Sequence, residues 1–194
     1  IEKYMRLFGF GEKIENSFFT GAVGVIPNPE WKKLNFEGEA WNLGNTYHTS
    51  IGQYGFQVSL VQMVRALGSI TNNGILRNPS ILKDVQGEIV RNIDIAPESF
   101  TVIKEGMRMG VKQGTGVSLN VPYIEIASKS GTAELGITKS NVNSWMTGYF
   151  PYNNPKYAFV VLMEKGSVHN LIGAGAAMRE ILDWMNIHTP EYFK

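Results

Sequence analysis

Three consecutive stretches with strand character, at residues 123–133, 144–151 and 157–164, run into a helical pattern from about 171 to 186. That order constrains the fold more than any other feature of the chain. The turn Tyr152-Asn153-Asn154-Pro155-Lys156 between the second and third stretches predicts a hairpin. The closing helix carries Leu171, Ala174, Met178, Ile181, Leu182 and Met185 at helical spacing. Its small residues Gly173, Gly175 and Ala176 would let it lie close against a sheet. The expected fold class is α/β of the α+β type, an antiparallel sheet covered by helices. Three strands with an exposed edge make a poor sheet for a core of this size, so further strands are expected from sequence outside these 194 residues.

Upstream, Val58, Leu60, Val61, Met63, Val64, Leu67 and Gly68 form a wide apolar face over residues 57–72, and Asn72-Asn73-Gly74 supplies a stop. Short strands are expected at 75–83 and 88–94. Pro97 suits an early helical position, with Phe100, Ile103, Met107 and Val111 on one face and Gly114 and Gly116 beyond the end. Residues 1–8 read as the end of an amphipathic helix, with Met5, Leu7 and Phe8 apolar, stopped by Gly9 and Gly11. Residues 12–55 are rich in Gly, Asn, Pro and aromatics without sustained periodicity. They predict a long ordered loop region pinned by Trp31, Phe36 and Trp41.

Composition narrows the partners. Hydrophobic residues make up 43% and charged residues 18%, with a net charge of +1. This is a globular composition without the basic footprint that nucleic acid or anionic lipid requires, which points to peptides or proteins as partners. The absence of cysteine excludes disulfides, thiolate metal sites and a cysteine nucleophile. His48, His169 and His188 are far apart and lack metal-ligand spacing, so each reads as structural or surface, and no cofactor is expected. Glu2, Glu12 and Glu15 read as a solvated acidic scatter. The chain opens Ile1-Glu2-Lys3-Tyr4, with no initiator Met, signal peptide or membrane-spanning apolar stretch, and is expected to be a piece of a longer protein.

The residues richest in chemistry are Lys129-Ser130-Gly131-Thr132-Ala133-Glu134, preceded by the apolar-rich run Tyr123-Ile124-Glu125-Ile126-Ala127. They read as a buried strand ending in a cation, two hydroxyls and a glycine. Such a combination suits a site that reads a substrate carboxylate and holds a peptide beside the strand. An ordinary exposed strand end would carry the same residue types, and the tetrapeptide alone does not choose between these readings. Glu134 reads as a solvated strand residue, and Trp145 as core packing under the site. Gly114-Thr115-Gly116 suggests a phosphate loop but lacks the Gly-Lys-Ser/Thr ending and a preceding strand, so it is discounted.

The order of motifs resembles the C-terminal part of the class B penicillin-binding proteins, the peptidoglycan D,D-transpeptidases, and most closely their elongation-type penicillin-binding protein 2 group. Met5-Arg6-Leu7-Phe8-Gly9-Phe10-Gly11 is similar to the family's helix and Phe-Gly-x-Gly turn, and Pro27-Asn28-Pro29-Glu30-Trp31 to its Pro-x-x-x-Trp segment. Ser50-Ile51-Gly52-Gln53 and Val61-Gln62-Met63 resemble its Gly-Gln loop and following helix. Asn72-Asn73-Gly74, the Lys129–Glu134 box and Trp145-Met146-Thr147-Gly148-Tyr149-Phe150-Pro151-Tyr152 continue the likeness in order. Departures are Gly52-Gln53-Tyr54-Gly55 for Gly-Gln-Gly, Leu60 for a proline, and Gly44-Asn45-Thr46 for Gly-Asp-Thr. The family's Ser-x-x-Lys and Ser-x-Asn motifs lie upstream of the place Met5 occupies. The resemblance therefore implies that the N-terminal portion carrying them is missing from this chain. Ser80-Ile81-Leu82-Lys83 and Ser118-Leu119-Asn120 match those patterns formally but in the wrong order. Ser80 also follows Pro79 in an expected strand, which would turn Lys83 to the opposite face.

The resemblance implies the C-terminal portion of a penicillin-binding transpeptidase fold, and acyl transfer through a serine ester. The upstream Lys would act as base, and the penultimate D-Ala of a peptidoglycan stem peptide would be the acyl donor. Beta-lactams would imitate that donor and stall at the ester. Lys129 would supply positive potential and orient the serine of Ser-x-Asn. Ser130 and Thr132 would hold the substrate carboxylate, Gly131 would allow close backbone approach, and the Thr132 N–H would form half of an oxyanion hole. This chain alone would be inactive. The resemblance also implies the periplasmic face of the bacterial inner membrane and elongation-complex scaffold proteins as partners. The competing reading is a catalytically inactive peptide-binding or scaffolding module. A beta-lactamase or carboxypeptidase is disfavoured by the Trp31 region and the Gly-Gln segment.

Overall fold

The computed structural model describes residues 1–14 and 20–193; Glu15 lies outside the described residues. The helices are α1 (Glu2–Leu7), α2 (Pro29–Asn35), α3 (Leu43–Ser50), α4 (Leu60–Thr71), α5 (Pro97–Gln113) and α6 (Ala174–His188). The strands are β1 (Ile75–Arg77), β2 (Ile89–Asn92), β3 (Ala127–Leu135), β4 (Asn141–Phe150) and β5 (Tyr157–Ser167). They form two compact units, Ile1–Ala66 with Leu76–Ile93, and Leu67–Ile75 with Asp94–Lys194.

In the first unit α1 ends where Gly9 and Gly11 take positive φ, and its apolar residues Met5 and Phe8 pack with Phe10, Ile26 and Ala66. The long loop expected over 12–55 contains two helices. Asn28 accepts from the Trp31 N–H at 2.7 Å and Pro29 occupies the first helical turn of α2. Asn42 and Asn45 cap α3 reciprocally. Poor helix formers such as Gly44, Asn45 and Thr46 hide these helices from a propensity reading, and the caps hold them. Pinning by aromatics is observed: the rings of Trp31, Phe36 and Trp41 lie 5.7, 5.7 and 6.0 Å from that of Tyr54. Gly55 has φ +77, and a Cβ there would stand 2.7 Å from the Trp31 ring, so a side chain would drive the indole away.

Two buried polar side chains tie the unit's loops together. Gln62 Nε2 donates to the Glu12 and Val23 carbonyls, and its Oε1 accepts from the Ser59 N–H. Arg65 Nε donates to the Arg77 carbonyl and its guanidinium meets Glu12, which also pairs with Arg91. The strand expected over 75–83 stops at Arg77. Ser80 lies in no helix or strand, and its hydroxyl accepts from the Leu82 N–H.

In the second unit the sheet order is β3-β4-β5, antiparallel throughout. This is the antiparallel, helix-covered sheet read from the sequence. Pairing sets Ser130 opposite Met146, and Met146 opposite Val161. Because side chains alternate, this row faces the core of Val111, Ile126, Met146, Phe150, Met178 and Leu182 beneath α6. Ala127 and Tyr149 face the other way, against Leu67 and Met107. Helix α5 therefore sends Val111 to one side of the sheet and Met107 to the other, as a helix lying along the β3 edge must. Pro97 opens α5 as expected.

The start of the closing helix differs from the sequence reading. Helix α6 begins at Ala174 rather than 171, because Gly173 is extended and the Asn170 side chain takes the Ile172 N–H. Leu171 thus falls outside the helix and is exposed, and Ile181, though inside it, is exposed as well rather than on the packed face. The small residues act as expected: a Cβ on Gly175 would come within 2.8 Å of Met146. Trp145 is half-buried and belongs to none of the core clusters, a correction to its core assignment. It sits opposite Gly131, on the face turned away from Met146.

A polar clamp fixes α6 to the segment before β3. The Tyr123 hydroxyl donates to Asp183 at 2.6 Å, and Arg179 Nε donates to the other carboxylate oxygen at 2.7 Å. These bonds, the Tyr123 one first, hold the Asp183 carboxyl below its ordinary range. Burial, then the same bond, pushes the Tyr123 phenol up. A lowered carboxyl pKa stabilises the fold above the unfolded-state value of about 4 and loses that contribution as pH falls through the folded-state value. Asp183→Asn should therefore lower the melting temperature at pH 7 and approach wild type as pH falls through the folded-state value. A difference that stays constant across that range would contradict the clamp.

Candidate active site

The box Lys129-Ser130-Gly131-Thr132 lies inside β3 and not at its end, since the strand continues to Leu135. The strand expected from residue 123 begins only at Ala127. The reason is visible at the two preceding carbonyls. That of Glu125 accepts from the Tyr152 N–H at 2.8 Å, and that of Ile126 accepts from Arg108 Nη1 at 2.9 Å. A side chain thus takes the place of a neighbouring strand.

Those two contacts also fix which way each backbone group of β3 points. In a strand the N–H and C=O of one residue point to the same side, and the side alternates along the chain. Glu125 faces β4 and Ile126 faces outward, so Ser128, Ser130, Thr132 and Glu134 also face outward. Gly110 of α5 confirms the direction, because a Cβ there would stand 3.0 Å from the Ser128 carbonyl oxygen. Helix α5 closes the outer edge as far as Ser128. Beyond it the N–H and C=O of Ser130 and Thr132 look away from the sheet, and no strand pairs with them among the described residues.

The side chains sort by the same alternation. Ser130 and Thr132 share the face of Met146, whereas Lys129 and Gly131 share the face of Thr147 and Trp145. Lys129 is exposed and its ammonium curls back to the edge, donating to the Ser130 carbonyl at 2.6 Å. The Ser130 hydroxyl lies 2.5 Å from the Thr115 hydroxyl, a contact the sequence reading missed. The signal was there in Gly114-Thr115-Gly116 closing α5, and it belongs to strand packing instead of phosphate binding. Glu134 is exposed and pairs with Lys139 at 2.7 Å, as a solvated strand residue does.

The remaining candidates do not join this site in sequence or register. Ser118 lies in the 3-10 turn Val117–Leu119, where its carbonyl accepts from Arg179. Ser80 and Lys83 belong to the other unit. His48, His169 and His188 are exposed on separate segments, the His188 ring tilted against that of Trp184 at 4.7 Å.

An unpaired strand edge with outward donors, two hydroxyls on one face and a cation beside it is a surface along which an extended chain can add as a further strand. A family model for the penicillin binding protein transpeptidase domain matches residues 1–183, and the chain belongs to that family. Peptidoglycan D,D-transpeptidase MrdA of Escherichia coli strain K12 is 29% identical over 94% of this chain and 32% of its own length. The MrdA protein of Haemophilus influenzae is 25% identical over 100% of this chain and 34% of its own. Penicillin-binding protein PBP2 of Helicobacter pylori, solved in complex with MreC, superposes with a TM-score of 0.78 at 27% identity, covering 97% of this chain and 36% of that one. PBP2 of Pseudomonas aeruginosa gives a TM-score of 0.73 at 25% identity, covering 94% and 43%. The chain spans about a third of the length of the curated relatives it matches.

The glycines of this region divide into structural and permissive ones. A Cβ on Gly116 would stand 2.6 Å from Ser128 Oγ, whereas one on Gly131 would meet only Trp145, at 3.4 Å or more. Gly116→Ala should cost about 1–3 kcal/mol of stability through overpacking. Gly131→Ala should fold with stability within about 1 kcal/mol of wild type. Denaturant unfolding of both variants checks this, and a large loss at Gly131 would contradict the geometry.

Proposed function

We propose that this chain is the substrate-binding portion of a serine D,D-transpeptidase that cross-links peptidoglycan stem peptides, with the nucleophilic serine supplied by sequence outside residues 1–194. The observation that carries this reading is the bare stretch of the β3 edge, where Ser130 and Thr132 point their backbone groups outward in a chain that matches the transpeptidase family nearly end to end. A donor peptide adds to that edge as an extended strand. Gly131 leaves room for its backbone, and the Ser130 and Thr132 hydroxyls hold its terminal carboxylate.

In the proposed reaction the serine Oγ attacks the carbonyl of the penultimate D-Ala and passes its proton to the neighbouring Lys. The outward N–H of Thr132 and the nucleophile's own N–H stabilise the oxyanion. The C–N bond breaks, the terminal D-Ala leaves as a protonated amine, and the ester is taken up by an amine of a second stem peptide. Lys129 adds positive potential beside the carboxylate. Beta-lactams enter the same path and remain as the serine ester. The known complex of a related PBP2 with MreC supports an elongation-complex scaffold protein as partner. Peptidoglycan cross-linking sets the location at the periplasmic face of the bacterial inner membrane. No helix among the described residues is long and apolar enough to cross a membrane.

The test uses the full protein that contains this chain. Against Thr132→Val as reference, which removes the hydroxyl alone, Thr132→Pro deletes the outward N–H while leaving the ladder to β4 intact, a substitution an edge strand tolerates. The rate of acylation by a fluorescent penicillin should fall about 10²–10³-fold, as for the loss of one oxyanion donor, with circular dichroism unchanged. Acylation within about threefold of Thr132→Val, against that expectation, would sink the assignment of the Thr132 N–H.

A further inference from the structure

We propose that Thr115 is a positioning residue for carboxylate recognition: its hydroxyl donates to Ser130 Oγ and so turns the Ser130 proton toward the open edge of β3. This rests on the reading of that edge as a carboxylate-binding site.

The loop Gly114-Thr115-Gly116 is clamped on both sides. The Gly116 N–H donates to the Gly110 carbonyl at 3.0 Å. A Cβ on Gly114 would stand 2.9 Å from that same oxygen, and one on Gly116 would stand 2.6 Å from Ser128 Oγ. Thr115 carries the only side chain of the three, and its hydroxyl meets that of Ser130 at 2.5 Å. The backbone on which it stands therefore has little slack against either α5 or β3.

Two hydroxyls in contact share one proton between them, and the direction matters. If Ser130 donated to Thr115, its oxygen would present only lone pairs to the edge and would repel an anion. If Thr115 donates, the Ser130 proton is free for a carboxylate oxygen, and the two bonds polarise one another. An arriving carboxylate selects the second arrangement, so Thr115 matters for a charged ligand and little for a neutral one. Its β-branched side chain holds few rotamers, which fixes the donor before the ligand arrives. Without it, the Ser130 hydroxyl would spread over its staggered positions.

The experiment compares acylation of the full protein by a penicillin with its carboxylate free and by the same penicillin as a methyl ester. Thr115→Val should slow the free acid about fivefold, the size of one net hydrogen bond, and leave the ester rate unchanged. Thr115→Ser should restore the free-acid rate to within about twofold. Equal slowing of acid and ester, or no slowing, would overturn the proposal. If the wild-type protein is not acylated at all, the transpeptidase reading fails instead. Positioning is then read from the Ser130 χ1 populations by NMR couplings, expected single in wild type and averaged in Thr115→Val. Identical populations in the two proteins would overturn it.

Discussion

The hydrogen bond from Arg108 to the Ile126 carbonyl decides where the sheet of the second unit stops being closed. A strand edge presents donors and acceptors that must be satisfied or left to solvent. Helix α5 meets the edge with the Arg108 guanidinium at Ile126 and with the close approach of Gly110 at Ser128. Arg108 is itself held by Glu125 at 2.8 Å, so the blocking side chain is fixed at both ends. After Ser128 the edge is released, and the released residues, Ser130 and Thr132, are those of the proposed substrate site. Closure before the box and opening within it follow from one helix running beside one strand.

Alternation then does the rest of the sorting. Outward backbone groups at Ser130 and Thr132 lie on the edge, and their hydroxyls lie on the face of Met146. A ligand lying along the edge meets backbone donors and side-chain hydroxyls from the same two residues. Lys129 belongs to the opposite face yet reaches the edge through its flexible stem, which places charge near the Ser130 carbonyl. The exposed Glu134–Lys139 pair adds little, since such surface ion pairs are worth at most about 1 kcal/mol. Binding strength here has to come from the edge and the hydroxyls.

Much of this was legible in the sequence. The strand and helix periods gave the order of β3, β4, β5 and α6, and the motif order pointed to the transpeptidase family. What stayed hidden depended on contacts between residues distant in sequence. Nothing local indicates that Arg108 reaches Ile126, so the sequence pattern runs from 123 whereas β3 begins at Ala127. Helices α2 and α3 were hidden because Asn caps, and not propensity, hold them. Gly114-Thr115-Gly116 fails as a phosphate loop for want of the Gly-Lys-Ser/Thr ending and a preceding strand, and only packing shows that its glycines are small to let the loop touch Gly110 and Ser128. Trp145 carried the signal of a core residue but lies on the face away from Met146. The bulk of an indole says that it packs, not on which side of a sheet.

The most direct measurement is amide hydrogen exchange at Thr132 in the full protein, free and acylated by a beta-lactam. An outward N–H with no strand partner should exchange quickly in the free protein, and should become protected once the acyl group's carbonyl occupies the edge. Slow exchange in the free protein would mean that the edge is closed at Thr132, and fast exchange that persists after acylation would mean that the ligand does not use it. Either result would contradict β3 as the substrate-binding edge.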